Sequence, residues 1–152
     1  MAEFNRKAGV LWTGDLKNGT GLISTQSRVI FELPYTYETR FGEEEGLNPE
    51  ELIAAAHASC FSMAVASTLA KNGYTPVQTE TTATCTMVSE AEGGPEITNM
   101  LLHVRCEVPD IDEETFNRLV MEADQGCPVS NLLRPGLDIQ ITTDLINTVS
   151  QN

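Results

Sequence analysis

Apolar residues are spaced in three different ways along the chain. Near the N-terminus they come in short runs. AGVLWTGDLKNGTGLIST, residues 8–25, has two apolar or β-branched stretches around the turn-rich centre GDLKNGTG, which predicts a β-hairpin. VIFELP, residues 29–34, predicts a third strand that Pro34 ends. In the middle, LIAAAHASCFSMAVASTLA, from Leu52 to Ala70, carries no charge over 19 residues. Its Ala-rich bulk, with a His and several Ser and Thr, fits a helix buried inside the protein better than one crossing a membrane. Beyond Pro76 the period becomes two. In QTETTATCTMV, Ala83, Cys85 and Met87 share a face with Thr81, and Glu80, Thr82, Thr84 and Thr86 share the other. ITNMLLHVRCEV puts Met100, Leu102, Val104, Cys106 and Val108 inward and His103, Arg105 and Glu107 outward.

Helix ends are marked by their capping residues. Asn48 suits an N-cap, Pro49 the first turn, and Glu51 the third position of a capping box, with Asn72 and Gly73 as the stop. Residues 35–48, YTYETRFGEEEGLN, predict a loop leading to this helix, and AEGGPE predicts a turn between the two alternating strands. A second helix begins at Asp112, where Phe116, Leu119, Val120 and Ala123 form one buried stripe, and Gly126 closes it. A short helix from Pro128 to about Leu133 is stopped by Pro135, and LDIQITT predicts a final strand. Strands grouped around helices without regular β–α–β repetition predict an α+β fold. The length of 152 residues fits a single domain, 1–152.

Charge narrows the function classes. The 22 acidic residues against 9 Lys and Arg give a net charge of −13, which repels nucleic acid and anionic membrane surfaces alike. The opening MAEFNRKAGVLW has no signal-peptide pattern, so a cytoplasmic location is expected.

The candidate chemistry lies in sulfur. Cys60, Cys85, Cys106 and Cys127 are 25, 21 and 21 residues apart, with no close CxxC pair, so no metal site is expected. Cys85 and Cys106 fall on apolar strand faces, as small hydrophobes. Cys127, in GCPVS, belongs at a helix N-terminus. Two readings stay open there: a thiolate favoured by the free N–H groups and helix dipole, or a cysteine that merely fills the cap position. Cys60 lies mid-helix, where burial raises a thiol pKa, and it needs a helper to ionise; simple core packing is the alternative. At about 100° per residue, Glu50 and His57 share the face of Cys60, and Glu51 points away. A carboxylate alone opposes a thiolate, so a cation is required. Arg40 is the only Lys or Arg between Arg28 and Lys71, set among seven Glu between positions 32 and 51. It is either a solvated surface ion pair or a guanidinium held by Glu50 that lowers the pKa of Cys60 and binds an oxygen-rich substrate.

NPEELIAAAHASCFSMA, GCPVS, YETRF and LWTGDLKNGTGLIST together resemble the OsmC/Ohr family of thiol-dependent peroxidases, in order and spacing along nearly the whole chain. The position of Arg40 resembles the OsmC branch; in the Ohr branch the equivalent arginine comes much earlier. Ser59 stands where the family pattern often has Ala, and Asn131 holds a variable position after CPVS. The resemblance implies Cys60 as the peroxidatic and Cys127 as the resolving cysteine, with Arg40 and Glu50 as the activating pair. It implies antiparallel sheets wrapped around a central buried helix in an intertwined homodimer, with residues from both chains in each active site. It also implies reduction of organic hydroperoxides to alcohols without a cofactor, a dithiol reductant such as a lipoylated protein, and a protective role under oxidative or osmotic stress. A non-catalytic dimeric module that binds small molecules, or a static Cys60–Cys127 staple, are the alternatives.

Overall fold

The computed structural model describes residues 1–89 and 93–148. The chain divides into two compact units, Met1–Leu52 and Ile53–Asn152.

The first unit is a three-stranded antiparallel sheet in the order β1 (Ala8–Thr13), β2 (Thr20–Thr25), β3 (Leu33–Thr36). The expected hairpin is β1–β2. The third strand begins later than VIFELP suggests. Residues 28–30 bend, and Arg28 and Glu32 adopt positive φ of 60° and 49°, which breaks an extended run before Leu33. Pro34 is inside β3 opposite Leu22, and β3 is an edge strand, where the missing N–H is tolerated.

Trp12 pairs with Gly21, and Gly21 with Tyr35. The bare glycine on the middle strand lets the two flanking rings close over it, with centroids 5.5 Å apart. A Cβ at Gly21 would stand 2.3 Å from Tyr35 Cε1 and 2.9 Å from Trp12 Cε3. Gly21→Ala should therefore force the rings apart and cost about 1–3 kcal/mol, read as a lower urea midpoint.

The segment expected to be a loop contains a helix, α1 (Tyr37–Phe41). Thr36 caps it and Thr39 returns the bond in a capping box. Thr in place of the usual Glu or Gln at the third position hid the signal. The long helix α2 (Pro49–Lys71) starts and stops as its sequence marks indicate. The Glu51 N–H donates to Asn48 Oδ1 at 2.8 Å. At the other end, Gly73 at φ 88° donates to Ala70 O, and Tyr74 to Leu69 O, the paired bonds of a Schellman stop.

The second unit holds a mixed sheet, β4 (Gln78–Val88), β5 (Glu96–Pro109) and β6 (Asp138–Thr148), with β5 central. Burial alternates along β4, and Met100, Leu102, Val104, Cys106 and Val108 of β5 are fully buried, as the period of two predicts. Ala91 and Glu92 of the expected AEGGPE turn lie outside the described residues, and the remainder turns into β5. Strands β4 and β5 are antiparallel, as are all pairs in the first sheet, but β5 and β6 run parallel. Between them the chain crosses through α3 (Glu113–Gly126) and α4 (Pro128–Leu133), the helical return that parallel neighbours require.

From α2, Phe61, Val65 and Leu69 enter this core with Phe116, Leu119, Val120 and Ala123 of α3. Helix α2 has the length and composition of a membrane span, yet within the chain only one face is covered. His57, Phe61, Val65 and Leu69 are buried; Ala55, Ala56, Ser59, Met63, Ser67 and Ala70 are exposed. An uncharged sequence all round the helix gives no hint of which face is which.

Candidate active site

The side chains singled out by the sequence fall into two groups, one in each unit. In the first, Arg40 ends α1 and Glu50 is the second residue of α2. Arg40 Nη2 donates to Glu50 Oε1 at 2.8 Å, and Arg40 Nε donates to Oε1 and Oε2 at 3.2 and 3.4 Å. The Glu50 side chain is only 11% exposed and that of Arg40 34%, so the fork is held by a nearly buried carboxylate and not by two solvated groups. Thr39 Oγ1 donates to Leu47 O at 2.9 Å and ties α1 to the segment entering α2. Beside the guanidinium, Trp12, Leu16, Tyr35, Tyr37 and Phe41 line a cavity of about 340 Å³.

In the second unit Cys127 is fully buried and Cys60 partly so. They are thiols, and the Cys127 S–H donates to Cys60 Sγ at 3.5 Å. Cys127 is the N-cap of α4 but makes no side-chain capping bond; its sulfur is turned toward Cys60 instead. The helix end still serves sulfur chemistry, because the Val129 N–H is directed at Cys60. Burial pushes the Cys60 thiol above the usual thiol range; the Val129 N–H pulls it back, and the adjoining Cys127 thiol adds to the rise. Ionisation at neutral pH therefore calls for more positive charge than this group supplies.

One turn away, His57 Nε2 and Ser130 Oγ share a hydrogen bond of 2.8 Å with both residues fully buried. Burial lowers the His57 pKa; the Asp124 carboxylate opposes this and the Arg134 guanidinium adds to it. The fold thus favours the neutral imidazole of His57, while an unfolded His protonates near about pH 6.5. Below that pH the unfolded chain binds the additional proton, so the stability from a neutral His57 is complete above it and declines as pH falls through it. The thermal midpoint should drop between about pH 8 and about pH 5.5, and His57→Gln should flatten that part of the profile.

Residues 42–142 match the family described as OsmC-like protein. The chain belongs to this family. It is 44% identical over 130 residues to Peroxiredoxin OsmC of Escherichia coli (strain K12), covering 86% of this chain and 90% of the relative. It is 31% identical over 98 residues to an organic hydroperoxide resistance protein of Xanthomonas axonopodis pv. citri, covering 64% and 67%. Among solved structures, the organic hydroperoxide resistance protein OhrB of Bacillus subtilis superposes with a TM-score of 0.73 at 25% identity, covering 94% of this chain and 98% of that one.

Of the four residues expected at the site of this OsmC family member, Cys60 meets Cys127 and Arg40 meets Glu50. Cys85 is partly buried against the core, and Cys106 is in it with Thr79 Oγ1 at 3.1 Å. Phe61 is core and Met63 is 75% exposed. Sequence reasoning missed the aromatic cavity and the Ser130 partner of His57. The first rests on Gly21 opposite two aromatic strand positions, a cue that becomes readable only with the register. Among the described residues, no group of three or more His, Cys, Asp or Glu is placed to hold a metal ion.

Proposed function

We propose that the protein is a two-cysteine peroxidase that reduces organic hydroperoxides to alcohols. The observation that carries this reading is the Cys127 S–H aimed at Cys60 Sγ at 3.5 Å, in a chain 44% identical to a peroxiredoxin.

In the proposed first step the Cys60 thiolate attacks the terminal peroxide oxygen. A sulfur–oxygen bond forms, the O–O bond breaks, and the leaving alkoxide takes a proton to become the alcohol, leaving Cys60 as sulfenic acid. Cys127 then attacks that sulfur. The disulfide forms as the S–O bond breaks, and the hydroxyl leaves as water with a proton. An external dithiol, such as a dihydrolipoyl group, restores both thiols by exchange and is itself oxidised to a disulfide. Arg40 stabilises the thiolate and orients the peroxide, and Glu50 aligns the guanidinium. The aromatic cavity beside Arg40 supports an alkyl or aryl hydroperoxide over hydrogen peroxide, since an apolar tail gains there what hydrogen peroxide cannot.

The reading includes a homodimer in a reducing, cytoplasmic setting. Its support is the uncovered small-residue face of α2 together with exposed Val10 and Leu11 on β1, apolar surface that association would remove from water. Sedimentation equilibrium should return the mass of two chains.

A steady-state assay of tert-butyl hydroperoxide against hydrogen peroxide, with dihydrolipoamide as reductant, tests the reaction class and the preference together. Turnover favouring the organic peroxide supports the reading; no turnover of either, with intact thiols, supports a binding module on the same fold.

A further inference from the structure

We propose that the buried His57–Ser130 hydrogen bond is a positioning device for the second chemical step, holding α4 in the register that lets Cys127 close on Cys60. The inference rests on the two-cysteine reading and names two residues outside its set of Cys60, Cys127, Arg40 and Glu50.

His57 precedes Cys60 by three residues on α2, and Ser130, in the first turn of α4, follows the N-cap residue Cys127 by three. Three residues are close to one helical turn. The two cross-helix contacts, His57 to Ser130 at 2.8 Å and Cys60 to Cys127 at 3.5 Å, are thus successive rungs of one antiparallel helix contact. Fixing either rung sets the other.

The sulfur rung cannot hold itself. A thiol–thiol contact is a weak bond, and it changes when Cys60 acquires oxygen. The His–Ser rung is unaffected by that change. Both groups are fully buried, so a slip that separates them strands polar atoms away from water at a cost of about 1–3 kcal/mol.

Helix α4 is short, but its joint with α3 is locked independently. Arg134 pairs with the buried carboxylate of Asp124, and Asn131 Nδ2 donates to Gln125 O at 2.9 Å. These contacts brace the joint carrying Cys127, and among the described residues the His57–Ser130 bond is the polar side-chain hydrogen bond that anchors it to α2. A disulfide needs its sulfurs about 2.05 Å apart, so the joint must deliver an approach of roughly 1.5 Å. That is the range over which misplacement of about 1 Å costs up to about 100-fold in rate.

The test separates the steps. Ser130→Ala, with retained near-UV circular dichroism and thiol count, is mixed with cumene hydroperoxide in a stopped-flow instrument. Sulfenic acid formation is followed with a dimedone-type trap, and disulfide closure by quench and mass spectrometry. First attack should stay within about twofold of the unmodified protein, and closure should slow by about 10- to 100-fold. With excess hydroperoxide, sulfinic acid on Cys60 should build up, seen as a gain of two oxygen atoms. His57→Gln, which keeps a side-chain hydrogen-bonding group, should partly restore closure relative to His57→Leu, giving a second measurement should Ser130→Ala fold poorly.

Closure at the normal rate in Ser130→Ala or His57→Leu overturns the proposal. So does equal loss of both steps, which marks a general packing defect. If the unmodified protein itself forms no disulfide, it is the two-cysteine reading that fails.

Discussion

Cys60→Ser should bring hydroperoxide turnover down to the uncatalysed background, a loss on the order of 10⁴-fold or more. The hydroxyl that replaces the thiol does not ionise near neutral pH and is a poor nucleophile toward peroxide oxygen. The fold should survive, because Cys60 is partly buried at the edge of the core, where its sulfur meets the Cys127 thiol and the Val129 N–H. Cys127→Ser should behave differently. The first attack proceeds once, and Cys60 then waits as sulfenic acid or goes on to sulfinic acid with further peroxide. Intact-mass spectrometry after one equivalent and after excess hydroperoxide distinguishes the two variants. Equal failure of both at the first step would mean that Cys127 activates Cys60 and does not resolve it.

Arg40→Ala should slow the first attack by about 10²- to 10³-fold, the usual cost of deleting a preorganised charge or donor at a reacting centre. The sign of its pH dependence follows from the Cys60 environment. Burial raises the thiol pKa, and the Val129 N–H offsets only part of it. A guanidinium acting on the thiolate lowers the pKa, so its removal shifts the rise of rate with pH to more alkaline values. The deficit should be largest at neutral pH and shrink as pH increases. Arg40→Lys keeps the charge but loses the fork that Glu50 holds with three contacts, and should fall between the two. A pH–rate profile of sulfenic acid formation checks both statements; an unchanged profile in Arg40→Ala removes the activating role.

The elements legible from sequence were those whose boundaries and faces are local properties. Asn48–Pro49 and Asn72–Gly73 mark α2, Asp112 and Gly126 mark α3, and the alternation matches the half-buried face of β4 and the buried face of β5 residue by residue. The illegible parts depend on partners distant in the chain. Pro34 looked like a stop because the edge position of β3 was unknown, and α1 was hidden behind a Thr–Thr capping pair. The parallel β5–β6 ladder follows from where the α3–α4 crossover lands, which no periodicity encodes. At the site, the Arg40–Glu50 pair was within reach because both flank one charged segment and Glu50 is in the first turn of α2. Ser130 was not, since a serine in a short helix is informative only once His57 is seen opposite it. For Cys127 the capping reading falls through a distant partner: the sulfur does not cap its own helix, and it points to Cys60, 67 positions away in sequence.

Thiol counting decides whether Cys60 and Cys127 form a redox pair. The chain has four cysteines, and the fully reduced protein, unfolded in guanidinium, should titrate all four. After one equivalent of cumene hydroperoxide and removal of excess reagent, two should remain, and peptide mapping should join Cys60 to Cys127. Four thiols still present, or a disulfide that leaves out either of these two residues, would rule out a Cys60–Cys127 peroxidase cycle.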